Sequence, residues 1–144
     1  MRMEDIVFGV RPSFGAPYNL RLTRGVRPES QETVYRLTCR SSYAETERTW
    51  QAESSDGEFV WNTLAEADVT LAPDTIIGLD GVDYDLTIRS GFNEVRLEWW
   101  LRLPEQWKAI EPAVERLKKM VSDSYEALGL QIEDILWLKD DPHA

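Results

Sequence analysis

The sequence predicts an α+β fold, in which an antiparallel β-sheet carries a short helix and a long C-terminal helix on one face. Several segments alternate apolar and polar residues with a period of two, as strands with one buried and one solvated face do. The last third of the chain instead places apolar residues at spacings of three and four, which is typical of an amphipathic helix. Strands that precede helices in this way favour helices packed against one side of an antiparallel sheet.

The first part of the chain is predicted to form strands. Residues 6–8 form a short apolar segment, and residues 18–23 and 35–40 alternate regularly between apolar and polar side chains. The loop between these last two segments contains Pro28. Residues 46–53 continue the pattern as a further strand, with Trp50 on the same side as Ala52.

A β-hairpin over residues 82–102 is the best-defined element. Both of its strands alternate, and the turn lies at residues 90–93. Pairing of Ser90 with Asn93 places apolar residues opposite one another on one face, namely Ile88 with Val95, Leu86 with Leu97, and Tyr84 with Trp99. The other face is polar, so we expect the hairpin to pack against the core on one side only.

The short helix is predicted over residues 57–68. Ser55 and Glu58 come just before the apolar residues of this helix and have the spacing of a capping box. In a capping box each of the two side chains accepts a hydrogen bond from a free backbone amide. Val60 and Leu64 follow at helical spacing.

The long helix is predicted to begin near Pro104 and to end at Gly129. Pro112 interrupts its apolar stripe, so we expect either a kink or a short helix followed by a longer one from Glu111. Residues 130–138 then form a last strand or a turn of helix.

The chain length of 144 residues favours one domain, over residues 1–139, with a loose tail at 140–144. No apolar run exceeds four residues, which predicts no membrane span. Glu4 and Asp5 lie where a signal peptide would be apolar. The single cysteine, Cys39, lies on the apolar side of its strand and is expected to be a buried thiol, and these features together favour a cytoplasmic protein.

The charge is strongly negative and unevenly placed. The chain has 16 basic and 26 acidic residues, a net charge of −10, which disfavours nucleic acids and anionic membranes as partners. Residues 49–88 contain nine acids and no basic residue. A segment of this kind attracts a basic partner over a distance, although a solvated acidic surface that serves solubility is the alternative.

Catalytic and metal-binding motifs are absent from the sequence. His143 is the only histidine, so neither a Cys–His pair nor a Ser–His–Asp triad is expected. The acids at Asp80, Asp83 and Asp85 do not match the spacing of an EF-hand, and no phosphate-binding glycine motif occurs. We therefore expect no metal and no cofactor. A small enzyme that uses carboxylates in a pocket between sheet and helix stays open as an alternative function.

Trp100 is the candidate for a binding residue. The alternation places it on the polar face of the hairpin with Asp83, Asp85 and Glu98, and a tryptophan among charged residues is typical of an interaction surface. These four residues are the predicted partner-binding site. The alternatives are that a helix, the C-terminal segment or the second chain of a homodimer covers this face.

Residues 77–86 contain a G-L-D-G-x-x-Y-x-L sequence, formed by Gly78 to Leu86, ahead of a tryptophan-bearing strand and an amphipathic helix. This pattern resembles a signature of small uncharacterised bacterial proteins, some of which resemble the immunity proteins that accompany bacterial toxins. The resemblance implies no activity and no binding residue. The sequence therefore predicts a protein that acts by protein–protein interaction, as an immunity or inhibitor protein for a basic partner.

Overall fold

A computed structural model describes residues 3–41, 47–74, 78 and 80–139. Six strands form one sheet in which all neighbours are antiparallel, and their order across the sheet is β4-β3-β2-β1-β5-β6. The strands are β1 (Asp5–Pro12), β2 (Tyr18–Val26), β3 (Thr33–Ser41), β4 (Arg48–Ala52), β5 (Val82–Ser90) and β6 (Asn93–Trp100). The first strand thus lies inside the sheet and joins the N-terminal strands to the hairpin.

The helices pack against one face of this sheet. They are α1 (Ser54–Glu66), a 3-10 helix (Glu105–Ile110), α2 (Glu111–Ser124) and α3 (Ile132–Lys139). The predicted α+β class is therefore confirmed. Within the described ranges, no helix has the length and apolar character needed to cross a membrane.

Alternation along the strands produces the core, as predicted. Most helix-facing side chains of β1, β5 and β6 are buried, whereas Val95 near the turn of the hairpin is 45% exposed. Three of the buried rings follow one another across the sheet. Phe8 lies 5.8 Å from Tyr84, and Tyr84 lies 5.7 Å from Trp99, measured between ring centroids. On the helical side, the Lys118 Nζ lies 4.7 Å from the centre of the Tyr84 ring, so α2 packs against this row of rings.

The register predicted for the hairpin is confirmed. Ser90 pairs with Asn93, Leu86 with Leu97, and Tyr84 with Trp99. The second strand ends two residues earlier than expected, at Trp100. Leu101 adopts a left-handed backbone with φ of 59°, which an extended strand does not accommodate, and its N–H donates to the carbonyl of Val82.

The start predicted for the short helix is wrong. α1 begins at Ser54, and Glu53 precedes it with no side-chain cap, so Ser55 and Glu58 do not form a capping box. Gly57 lies inside the helix rather than at its first position. A Cβ at this position would lie 2.6 Å from Cβ and Cδ1 of Tyr35 on β3, so the glycine allows the helix to approach the sheet.

The split at Pro112 is confirmed. The 3-10 helix runs directly into α2, where the proline occupies the first turn and lacks only an amide that has no helical partner there. α2 ends at Ser124, earlier than the predicted stop, and Gly129 with φ of 76° belongs to the turns that follow. The final apolar segment is α3, one of the two forms expected. The predicted tail at 140–144 and residue 46 of the predicted fourth strand lie outside the described residues.

Candidate functional site

The face of the sheet opposite the helices, here called the open sheet face, is highly charged. Three rows of side chains cross it from β3 to β6: Arg36, Thr23, Asp5, Arg89 and Glu94; Thr38, Arg21, Val7, Thr87 and Arg96; and Arg40, Asn19, Gly9, Asp85 and Glu98. Arg11, Asp83 and Trp100 extend the last row on β1, β5 and β6. The strands β2 and β3 contribute arginines and no acid, whereas β5 and β6 contribute four acids and two arginines.

The negative charge lies mainly away from this face. The described residues include 15 basic and 23 acidic side chains. The open sheet face holds six of the basic and five of the acidic ones, which leaves nine basic and 18 acidic residues elsewhere. The surface that can attract a basic partner is therefore the helical side with its loops.

The four predicted partner-binding residues lie together at one corner of the open sheet face. Asp83 pairs with Trp100 across the hairpin, and Asp85 pairs with Glu98. Asp83 and Glu98 are exposed, whereas Asp85 is buried and Trp100 is partly buried. The juxtaposition that the alternation predicts is thus present, while the binding role of these residues stays a prediction.

Trp100 lies against the glycines of the segment that precedes β5. A Cβ at Gly78 would lie 2.6 Å from Cζ3 of the indole, and one at Gly81 would lie 2.8 Å from Cζ2. Gly81 also has a φ of 148°, which L-amino acids with a side chain rarely adopt. The glycines of the G-L-D-G sequence therefore have a structural role, since they let this segment cover one side of the tryptophan.

Asp85 is held by arginines of its own chain. It forms an ion pair with Arg11 and lies 3.6 Å from Arg96, whose guanidinium also lies 2.9 Å from Glu98. Gly9 lies beneath it, where a Cβ would come within 2.8 Å of the Asp85 Cγ. Two of the three predicted carboxylates thus already have cationic partners. The hairpin pattern does not reveal the contact with Arg11, because Arg11 lies 74 residues from Asp85 and reaches it only through the β1–β5 pairing, whereas Arg96 lies in the hairpin itself.

A shallow depression of about 520 Å³ lies in the middle of the open sheet face. Val7 and Gly9 form part of its floor, and Arg11, Arg40 and Arg96 line it. Arg40 has no ion pair within the described ranges, in contrast to the other two arginines. The depression is polar and open, and Asp85 is the single acid among the described residues that line it, so these residues do not include the pair of carboxylates that acid–base catalysis would use.

The exposed side of α1 is the second candidate surface, and we call it the acidic helix face: Ser55, Glu58, Phe59, Asn62 and Glu66. These residues lie within about 100° of arc on the helix. Neither Glu58 nor Glu66 has an ion pair among the residues described. Phe59 is 38% exposed, and the Arg116 guanidinium lies 4.3 Å from its ring centre, anchored by an ion pair of 2.8 Å to Asp56.

Helix stability does not account for the acid at the end of α1. Glu66 lies in the last turn, which contains no basic residue, and Asp68 follows two residues later. Negative charge at a helix C-terminus is unfavourable because it lies next to the negative end of the helix dipole. The excess of acids in residues 49–88 is visible in the sequence. Only the fold shows that Phe59 lies among the acids of α1.

The buried titratable groups do not offer a nucleophile. Cys39 is buried in the core, and its burial, with a smaller effect from Asp134, raises the pKa of the thiol to about 12. Burial likewise raises the pKa of Tyr84 to about 12. No set of three metal-ligating side chains occurs within the described ranges. Apolar side chains fill the interface between sheet and helices, which counts against the alternative of a carboxylate enzyme with a pocket there.

Comparison with known proteins adds no family. Neither a protein-family model nor a curated protein matches the chain. The resemblance of the G-L-D-G sequence stays a prediction.

Proposed function

We propose that this is a cytoplasmic binding protein, of the immunity or inhibitor kind, whose acidic helix face binds a basic protein. The observation that carries the proposal is the position of the uncompensated acids. Residues 53–74 contain six acids and no base, and only Asp56 among them has an ion pair within the described residues. This surface lies on the opposite side of the molecule from the neutralised corner at Asp85.

The acidic helix face combines long-range attraction with an apolar contact. Carboxylates that are free of intramolecular partners accelerate encounter with a cationic protein. They stay hydrated during this long-range attraction, so the encounter has little desolvation cost. Phe59 provides the kind of aromatic anchor that dominates binding free energy in protein interfaces. Its ring is already held on one side by Arg116, so little conformational entropy is lost when a partner covers the other side.

The test compares capture of a basic protein by three forms of the full-length chain in lysate of its own host. The first is the unaltered chain, and the second carries Glu58→Gln, Phe59→Ser and Glu66→Gln. The third carries Glu29→Gln and Glu47→Gln, which remove the same charge from exposed acids outside the acidic helix face. Washing at low and high salt separates electrostatic retention from other binding.

We expect the unaltered and the control chains to retain the same basic protein at low salt and to release it at high salt. With the purified partner, the α1 variant is expected to bind at least about tenfold more weakly, because it lacks both the anchor and the charges. Equal affinity of the α1 variant would refute the acidic helix face as the site. Retention of no basic protein by the unaltered chain would refute the proposed function.

A further inference from the structure

The open sheet face has a charge pattern that is complementary to itself. Its first row runs from Arg36 to Glu94 and its third row from Arg40 to Glu98, so both rows begin with an arginine on β3 and end with a glutamate on β6. Neither arginine has an ion pair within the described part of the chain. Both glutamates accept from arginines of their own hairpin, but their side chains are 54% and 60% exposed.

We propose that the open sheet face binds the same face of a second copy of this chain, related by a two-fold axis that runs along β1. In this arrangement β1 faces β1, β2 faces β5, and β3 faces β6 of the other copy. Arg36 then faces the second copy's Glu94, and Arg40 faces the second copy's Glu98. Because a two-fold interface is reciprocal, each pair occurs twice.

The two-fold axis is selected by the charges. An axis perpendicular to the strands would place β3 over β3, and Arg36 would face Arg40. Moving the axis to lie between β1 and β2 would place Arg36 against Arg89. Like charges in such contacts oppose association, so of these three axes the one along β1 is favoured, since it pairs both arginines of β3 with glutamates of β6.

The residues on the axis fit this arrangement. Val7 and Gly9 are small, and each faces the same residue of the second chain. The two sheets can therefore approach each other closely at the central depression. The charged residues of β1 are neutralised within their own chain: Asp5 lies 2.8 Å from Arg21, and Arg11 pairs with Asp85. Asp5 and Arg11 therefore do not bring an unpaired charge against the equivalent residue of the second chain.

The dimensions of the face are those of a stable dimer. Five strands from β3 to β6 span about 24 Å, and strands of eight or nine residues extend about 30 Å, which gives about 700 Å² for each copy. Specific interfaces bury about 800 Å² on each side. Packed sheets cross at about 30°, which displaces residues two strands from the axis by about 5 Å, a distance that arginine and glutamate side chains span.

A charge-swap experiment with the full-length chain tests the dimer. Arg40→Glu and Glu98→Arg are each expected to raise the dimer dissociation constant at least about tenfold in analytical ultracentrifugation, because each places two like-charged pairs in the interface. An equimolar mixture of the two variants restores both pairs and is expected to dimerise like the unaltered chain. Glu29→Arg, which lies outside this face, is expected to change nothing.

Arg36→Glu and Glu94→Arg form a second swap for the case in which a variant of the first pair fails to fold, as judged by circular dichroism. A chain that stays monomeric at all concentrations would overturn the proposal. A dimer that neither swap weakens, or variants that do not associate when mixed, would assign the contact to another surface and overturn it equally. Capture of an acidic protein through Arg40 by a monomeric chain would assign the face to a different partner. None of these outcomes bears on the acidic helix face.

Discussion

The approach of α1 to the sheet at Gly57 reverses the usual effect of a glycine-to-alanine substitution. In a helix this change normally adds about 1 kcal/mol of stability, because alanine loses less backbone entropy on folding. Here the new Cβ would come within 2.6 Å of Tyr35 Cβ and Cδ1. The Tyr35 Cβ is fixed by the β3 backbone, so helix and sheet must separate, and overpacking of this kind costs about 3 kcal/mol. Gly57→Ala is therefore expected to lose about 2 kcal/mol.

Thermal unfolding followed by circular dichroism measures this loss. For a chain of this length a change of 2 kcal/mol corresponds to a decrease in Tm of about 7 °C. Asn62→Ala on the exposed side of the same helix is the matched control and is expected to raise the Tm by about 2 °C, since only helix propensity changes. An increase in Tm for Gly57→Ala would show that the helix and Tyr35 are not in close contact and would refute the packing argument.

Three further predictions concern buried groups. Trp100→Ala is expected to lower the Tm by several degrees, because the indole packs against Gly78 and Gly81. An unchanged Tm would instead favour a free binding residue, as the sequence pattern predicts. Asp85→Asn is expected to lower the free energy of unfolding in urea by about 1–2 kcal/mol, since its arginine partners lose a buried carboxylate. The raised pKa of Cys39 favours the protonated thiol in the folded state, so the free energy of unfolding should fall as the pH rises from 9 towards 12. This fall should be less steep in Cys39→Ala. Equal slopes in the two proteins would contradict the prediction.

The local features of the fold follow from the sequence. The hairpin register follows because a slip of one residue would turn Tyr84 and Leu86 to the solvated face. The break at Pro112 follows from the missing amide of proline. In each case the deciding interaction joins residues that are close in the chain, so the sequence pattern contains it.

The start of α1 and the state of Asp85 depend on distant residues. The spacing of Ser55 and Glu58 predicted a helix start at Gly57, and only the close approach to Tyr35 explains why this glycine lies inside the helix. Asp85 resembled a free acid because Arg11 joins it through the pairing of β1 with β5. The predicted binding corner was therefore placed correctly as a group of residues, but its charge balance was not predictable from the hairpin alone.

The open sheet face and the helical side have different electrostatic roles. The open sheet face has nearly balanced charges, which suits contact with a copy of itself, and the helical side carries the excess of acid. In the proposed dimer both helical sides face outward, so each copy keeps its acidic helix face available. A basic partner can then bind the acidic helix face without displacing an arginine from Asp85.

A titration of the ¹⁵N-labelled chain with a short lysine-rich peptide, followed by NMR at low salt, tests most directly where a basic partner is attracted. We expect the amide signals of Glu58, Phe59 and Glu66 to shift first and added salt to abolish these shifts. Initial shifts at Asp83, Glu98 and Trp100, with α1 unaffected, would contradict it and would return the binding site to the corner of the hairpin.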